Sequence, residues 1–162
     1  MQVRREQPDD HAAIHALHAA SFPTQAEANL VDRLRDAGDV AISLVAEDAG
    51  EIVGHVLFSP MSAPFRALGL GPLAVAEASR RQGIAARLIE AGLAEARNTG
   101  WDAVFVLGDP AYYRRFGFSV KLAAGFGSPY AGPHFMALAL QGMLSRHEGH
   151  VDYAPAFAAL DF

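Results

Sequence analysis

The chain has 162 residues, 51% apolar and 19% charged, a balance that fits one globular domain with a substantial core and excludes disorder. It contains no cysteine, which excludes a disulfide framework, a thiolate zinc site and a cysteine nucleophile together. A formal charge of -5 argues against nucleic acid, no apolar run approaches a membrane span, and the opening Met1-Gln2-Val3-Arg4-Arg5-Glu6 lacks a signal peptide's apolar core, so the expectation is a cytoplasmic protein.

Val3 to Glu6 reads as a first strand ended by Pro8, and a helix follows with Asp9 and Asp10 in its first turn, where negative charge is favoured. Ile14 and Leu17 give this helix a buried side, and Phe22-Pro23 breaks it. His11, His15 and His18 share another face; with no carboxylate or cysteine near them in sequence, they read as a solvated polar stripe rather than a metal site. Thr24 and Glu27 have capping-box spacing ahead of a second helix that carries Leu30, Val31 and Leu34 on one face and stops before Gly38. Ala41 to Glu47 and Ile52 to Phe58 read as antiparallel strands joined by the turn Asp48-Ala49-Gly50.

The third long strand, Ala67 to Ala76, contains Gly69, Gly71 and Pro72, which weaken regular pairing and predict a bulge or a parting from the neighbouring strand. Arg80-Arg81-Gln82-Gly83-Ile84-Ala85 then opens a helix with Ala85, Leu88, Ile89, Gly92, Leu93 and Ala96 at core-facing spacing, terminated by Asn98-Thr99-Gly100. A strand that passes through a glycine-bearing turn into a helix leaves several unpaired N–H groups at the positive end of the helix dipole, a seat for phosphate. Arg80 and Arg81 crowd positive charge where a helix start disfavours it, a conflict that an anionic ligand resolves. Ala103 to Leu107 is a continuous apolar run, expected as a buried central strand parallel to its predecessor and crossed over by that helix. Pro110 starts a short helix that Gly117 ends; Lys121 to Pro133, rich in glycine and proline, reads as a mobile loop over a site; His134 to Leu140 reads as a late strand. After Gly142 no clear pattern appears, and no repeat or linker divides residues 1–162.

Two stretches carry a resemblance. The turn from Arg80 to Ala85 matches (Q/R)-x-x-G-x-(G/A), and Asp109-Pro110-Ala111-Tyr112-Tyr113-Arg114-Arg115-Phe116-Gly117-Phe118 matches Tyr-x-(Lys/Arg)-x-Gly-Phe at the expected distance. In that order and context they resemble the signatures of the GNAT superfamily of acetyl-CoA-dependent N-acetyltransferases. The nearest likeness is to small bacterial predicted acetyltransferases with Gly-Asp-Pro-x-Tyr-Tyr before Arg-Phe-Gly-Phe.

The resemblance implies a mixed α/β fold (α+β): one central, mostly antiparallel sheet of six or seven strands, a splayed central strand pair and helices on both faces. It implies acetyl-CoA as acyl donor, its pantetheine arm in the gap between the splayed strands and its pyrophosphate on the turn formed by Arg80, Arg81, Gln82, Gly83, Ile84, Ala85 and Ala86. Backbone N–H groups about Leu73, Ala74 and Val75 would polarise the acetyl carbonyl. Tyr113 matches the tyrosine placed to protonate the coenzyme A sulfur, with Tyr112 the close competitor, since adjacent residues on a helix point about 100 degrees apart. Glu27, His55, Asp109 and His134 are the candidates for a general base. Glu27 sits on the helix pair that covers the acceptor side in this superfamily, yet capping also explains it; His55 reads equally as a satisfied strand residue, and Asp109 as an N-cap. The acceptor would be a small-molecule or peptide amine. The alternatives are a non-catalytic acyl-CoA sensor, which needs the phosphate turn but no tyrosine hydroxyl, and transfer to a hydroxyl acceptor.

Overall fold

A computed structural model describes residues 1–160. Its strands are β1 (Gln2–Arg5), β2 (Ile42–Asp48), β3 (Glu51–Met61), β4 (Ala67–Val75), β5 (Ala103–Leu107), β6 (Phe126–Gly127), β7 (Phe135–Ala139) and β8 (Gly149–His150). Six of them form one sheet in the order β1-β2-β3-β4-β5-β7, and β6 pairs with β8 apart from it. Every neighbouring pair in the large sheet is antiparallel except β4 and β5, which are parallel and linked by the crossover helix α3 (Ile84–Asn98). The expected fold class and the position of its parallel pair are therefore both found.

Strand alternation divides the core between two faces. Leu44, Val56, Phe58, Leu68, Val104 and Met136 pack with Leu88, Ile89 and Leu93 of α3. On the other face Val45 and Leu57 pack with Ile14 of α1 (His11–Ser21) and with Leu30, Val31 and Leu34 of α2 (Ala26–Asp36). Gly92 allows α3 to lie close on the sheet, since a Cβ there would stand 2.2 Å from the buried ring of Phe58.

Three local expectations change. The histidines of α1 are not a solvated stripe. His18 is fully buried, its Nε2 2.8 Å from His55 Nδ1, and His55 Nε2 lies 2.8 Å from Ser43 Oγ. Ser43 donates to Glu6, which Arg35 also grips through two bonds of 3.0 and 3.1 Å. His15 meets Asp32 at 2.7 Å and His11 meets Glu6 at 3.1 Å. Glu6 sits just past the end of β1 and Asp32 comes from α2, 17 residues on from His15, so neither lies on the helix whose period alone suggested no partners. Among the described residues no cluster could hold a metal ion.

The capping box is also absent. α2 begins at Ala26, whose N–H bonds Thr24 Oγ1 at 3.2 Å, and Glu27 makes no reciprocal bond. The segment 121–133 carries regular structure in its first half: α5 (Val120–Ala123) is capped by Ser119, β6 pairs with β8, and buried Phe126 meets the rings of Phe65 and Phe105 at 5.5 and 5.6 Å.

Two predictions follow from this packing. Gly92→Ala should lower unfolding stability in urea, because overpacking against Phe58 costs roughly 1–3 kcal/mol and exceeds the ~1 kcal/mol that alanine gains over glycine in a helix. Acid should also destabilise the fold early. Burial, reinforced by His55, pulls His18 from its ordinary 6.5 down to about 3, and burial lowers His55 too. A neutral buried imidazole contributes fully above the unfolded value and loses its contribution as pH falls from 6.5 toward the folded value. For Glu6, burial is outweighed by hydrogen bonds from His55, Arg35 and Ser43, which hold the carboxyl well below its ordinary 4.5, so its share disappears only at lower pH. The urea midpoint should be flat above pH 7 and fall below pH 6.5, with a shallower fall in His18→Leu.

Candidate active site

β4 and β5 share only three residue pairs, from Ala67 with Ala103 to Gly69 with Phe105. Beyond Gly69 the strands part: β4 runs on against β3, and β5 runs on against β7 to Leu107. A bulge in β4 marks the parting, and an aromatic ring covers the strand just before it. The β3–β4 register shifts by one residue between Val56–Leu73 and Phe58–Leu70, so Gly71-Pro72 forms the bulge that the glycines and proline predicted. The ring of Tyr153 also lies on Gly69, where a Cβ would stand 2.4 Å from it.

The parting exposes backbone. Ala76 donates to Val53 of β3 at 2.8 Å, and alternation along an antiparallel strand then assigns the Ala74 N–H to β3 and turns those of Leu73 and Val75 into the gap. Of the three expected backbone donors, Leu73 and Val75 are thus available and Ala74 is spent within the sheet. The Val75 carbonyl also faces outward, since Arg80 Nε donates to it at 3.1 Å.

The turn into α3 is shaped for an anion. Arg81 and Gly83 both have left-handed backbone, with φ of 65° and 77°, and nothing lies near a Cβ at Gly83, so conformation rather than space calls for glycine there. The first backbone bond of α3 runs from Arg87 to Gly83 at 3.1 Å, which leaves the N–H groups of Ile84, Ala85 and Ala86 free of the helix. These residues, with Val75, Arg80 and Arg81, line a depression of about 420 Å³. Gln82 does not line it; Tyr112 and Arg115 do, with the Arg115 guanidinium 4.5 Å above the Tyr112 ring. Arg115 lies inside the second signature, and its position three residues after Tyr112 on one helical face was the signal available for it.

Tyr112 and Tyr113 divide between two cavities. Asp109 caps the short helix α4 (Pro110–Tyr113), accepting from Ala111 N–H at 2.9 Å, so its capping role is the one realised. From α4 Tyr112 turns to the arginine-lined depression, and Tyr113 turns to a cleft of about 230 Å³ at the mouth of the β4–β5 gap. Tyr113 packs over Gly108, where a Cβ would stand 2.5 Å from its ring. Burial, with Tyr112 beside it, pushes its phenol up to about 12, so it keeps its proton at neutral pH.

Glu27 lines the same cleft, and its Oε1 is buried without a hydrogen-bond partner. Of the other base candidates, His55 is enclosed in the network described above, and His134 and Asp109 are exposed and line no part of the cleft. The remaining wall comes from Phe22, Leu30, Leu107, Tyr130, Tyr153, Phe157 and Leu160. The last three lie in the tail that sequence periodicity left unread; Tyr153 and Phe157 are four apart, but a short 3-10 turn at Pro155–Ala159 has no extended pattern to reveal it.

The acetyltransferase (GNAT) family matches residues 8–118. The chain belongs to the GNAT family. It is 44% identical over 124 residues to the N-acetyltransferase YhbS of Escherichia coli strain K12, covering 74% of each chain, and 35% identical over 133 residues to the N-acetyltransferase YjhQ of the same strain, covering 76% of this chain and 73% of the other. Among solved structures it superposes on E. coli YhbS in complex with CoA at a TM-score of 0.89 and 36% identity, covering 99% of this chain and 93% of that one. A GNAT acetyltransferase from Brucella melitensis in complex with acetyl-CoA gives 0.81 at 35% identity, covering 96% and 97%. The parted strands and the arginine-rich turn thus lie in a GNAT fold.

Proposed function

We propose that this GNAT acetyltransferase, acting as one domain over residues 1–162, moves an acetyl group from acetyl-CoA to an amine by direct attack. The observation that carries the reading is the placement of two cavities along one strand, a phosphate-shaped turn beyond the C-terminal end of β4 and a phenol-bearing cleft beside its middle, Leu70 to Leu73. The free N–H groups of Ile84 to Ala86, the left-handed turn at Arg81 and Gly83, and Arg80, Arg81 and Arg115 fit a pyrophosphate. The gap beyond Gly69 fits an extended arm, and the Leu73 and Val75 N–H groups fit a thioester carbonyl that gains negative charge.

An acceptor that arrives as an ammonium first gives one proton to Glu27, and the neutral nitrogen then uses its lone pair to bond the acetyl carbon as the carbon–sulfur bond breaks. Tyr113 gives its proton to the departing thiolate, the proton shed by the new amide nitrogen restores the phenol, and Glu27 returns its proton to solvent. A phenol kept protonated to about 12 is suited to donate at neutral pH, and a buried carboxylate oxygen with no partner is suited to accept. A sensor would need the phosphate seat alone, and it leaves the placement of Tyr113 in the cleft unexplained.

Calorimetry and a thiol-release assay test the two halves separately. Gly83→Glu should weaken acetyl-CoA binding at least about tenfold, because left-handed backbone disfavours any side chain and a carboxylate repels phosphate. Tyr113→Phe should bind acetyl-CoA as the parent does while kcat falls about 100-fold, the usual scale of a lost general acid. Gly108→Ala should copy that loss by displacing the Tyr113 ring. Unchanged turnover in Tyr113→Phe would remove the tyrosine from the reaction, and parent protein that fails to bind acetyl-CoA would sink the whole proposal.

A further inference from the structure

The acceptor wall is unusual in what it lacks. Glu27 is the one charged side chain among the described residues that line the cleft, and Phe22, Leu30, Phe157 and Leu160 make most of the remaining surface opposite β4. Four buried side-chain polar atoms among the described residues have no hydrogen-bond partner, and two of them, Glu27 Oε1 and the Tyr153 hydroxyl, belong to this cleft. Buried polar atoms are rarely left unpaired in a folded chain, so two in one cavity mark where a ligand's polar atoms go. Size restricts the ligand further. About 230 Å³ is below the roughly 300–1,000 Å³ of sites for drug-sized molecules, and the thioester end of the donor must share it.

We infer that the acceptor is a compact, apolar primary amine with a single positive charge, its ammonium held by Glu27, its stem among Phe22, Leu30 and Phe157, and at most one further polar atom placed at the Tyr153 hydroxyl. The assignment rests on the acetyl-transfer reading and narrows it. A second ammonium would find no carboxylate among the described lining residues and would lie against aromatic and aliphatic carbon, and the several hydroxyls of an amino sugar would meet few polar atoms beyond the tyrosine hydroxyls of the wall. An aromatic stem suits the wall particularly, since ring edges and faces are already presented by Phe22, Tyr153 and Phe157. Peptidyl lysine fits less well, because its backbone amides would have to be accommodated at a rim with few polar side chains.

The test uses the full chain with acetyl-CoA and follows thiol release for benzylamine, hexylamine, spermidine and glucosamine, with acetyl-CoA affinity measured by calorimetry alongside. Benzylamine and hexylamine should exceed spermidine and glucosamine at least tenfold in kcat/KM. Glu27→Gln should lower kcat/KM for benzylamine at least tenfold with acetyl-CoA affinity unchanged. Leu160→Glu, which adds a second carboxylate to the wall, should reduce the preference for benzylamine over spermidine at least fivefold, and this gain for spermidine is a result that misfolding cannot imitate. Preference for spermidine or glucosamine in the parent overturns the inference, as does normal acetyl-CoA binding with no turnover of either apolar amine, and both leave the donor site standing. Absence of acetyl-CoA binding overturns the acetyl-transfer reading and the acceptor class with it.

Discussion

Two strands that have begun to pair gain a hydrogen bond for each further residue they share, so a central pair that stops after three residues must be held apart. In this protein the interruption falls at the bulge of Gly71-Pro72, just beyond the last pair, Gly69 with Phe105. The ring of Tyr153 covers that last paired residue on the face of the sheet and seats the tail there, while the bulge bends the strand away. The unmade bonds are the resource. Backbone donors at Leu73 and Val75 that a continuous sheet would have consumed remain directed into a gap, where an unpaired N–H is costly until something accepts from it. The gap, its donors and the cleft at its mouth all descend from this one interruption.

The acceptor side rests on a second polar construction. His18, His55, Ser43, Glu6 and Arg35 join α1, β3, β2 and α2 through successive hydrogen bonds inside the core. The chain ends at His18, whose Nδ1 has no partner, and it fixes the helices in one place because each of its hydrogen bonds has a direction. The helix pair that carries Phe22, Glu27 and Leu30 to the cleft is therefore located by geometry as well as by apolar packing. Apolar contacts alone would tolerate small slides of α1 and α2 across β3.

Much of the donor end was legible because it is local. Strand, turn and helix follow one another between Ala67 and Asn98, so glycine positions and the 3.6-residue period already encode the bend and the free N–H groups. Tyr113 was legible only as one of a pair; the choice depended on which way a four-residue helix points, and Gly108 decides that by leaving room for the ring. Glu27 was legible as a residue and not as an environment, because capping spacing says nothing of whether the cap forms. The histidines were misread as solvated for a related reason. Their partners are brought by other elements, and a helix viewed alone shows only its own period.

The cleft's two ends also differ in how far along the chain they are gathered. The donor turn and its flanking Tyr112 and Arg115 fall within residues 8–118, the part that matches the family, whereas Tyr130, Tyr153, Phe157 and Leu160 fall after it. The acceptor wall is gathered from both parts of the chain, since Phe22, Glu27 and Leu30 also lie within residues 8–118. Substitutions after residue 118 can therefore reshape one side of the acceptor wall without touching the phosphate turn or Tyr113. The exception is Tyr153, which forms part of the wall and also lies on Gly69 of β4, so a change there reaches the sheet as well as the cleft.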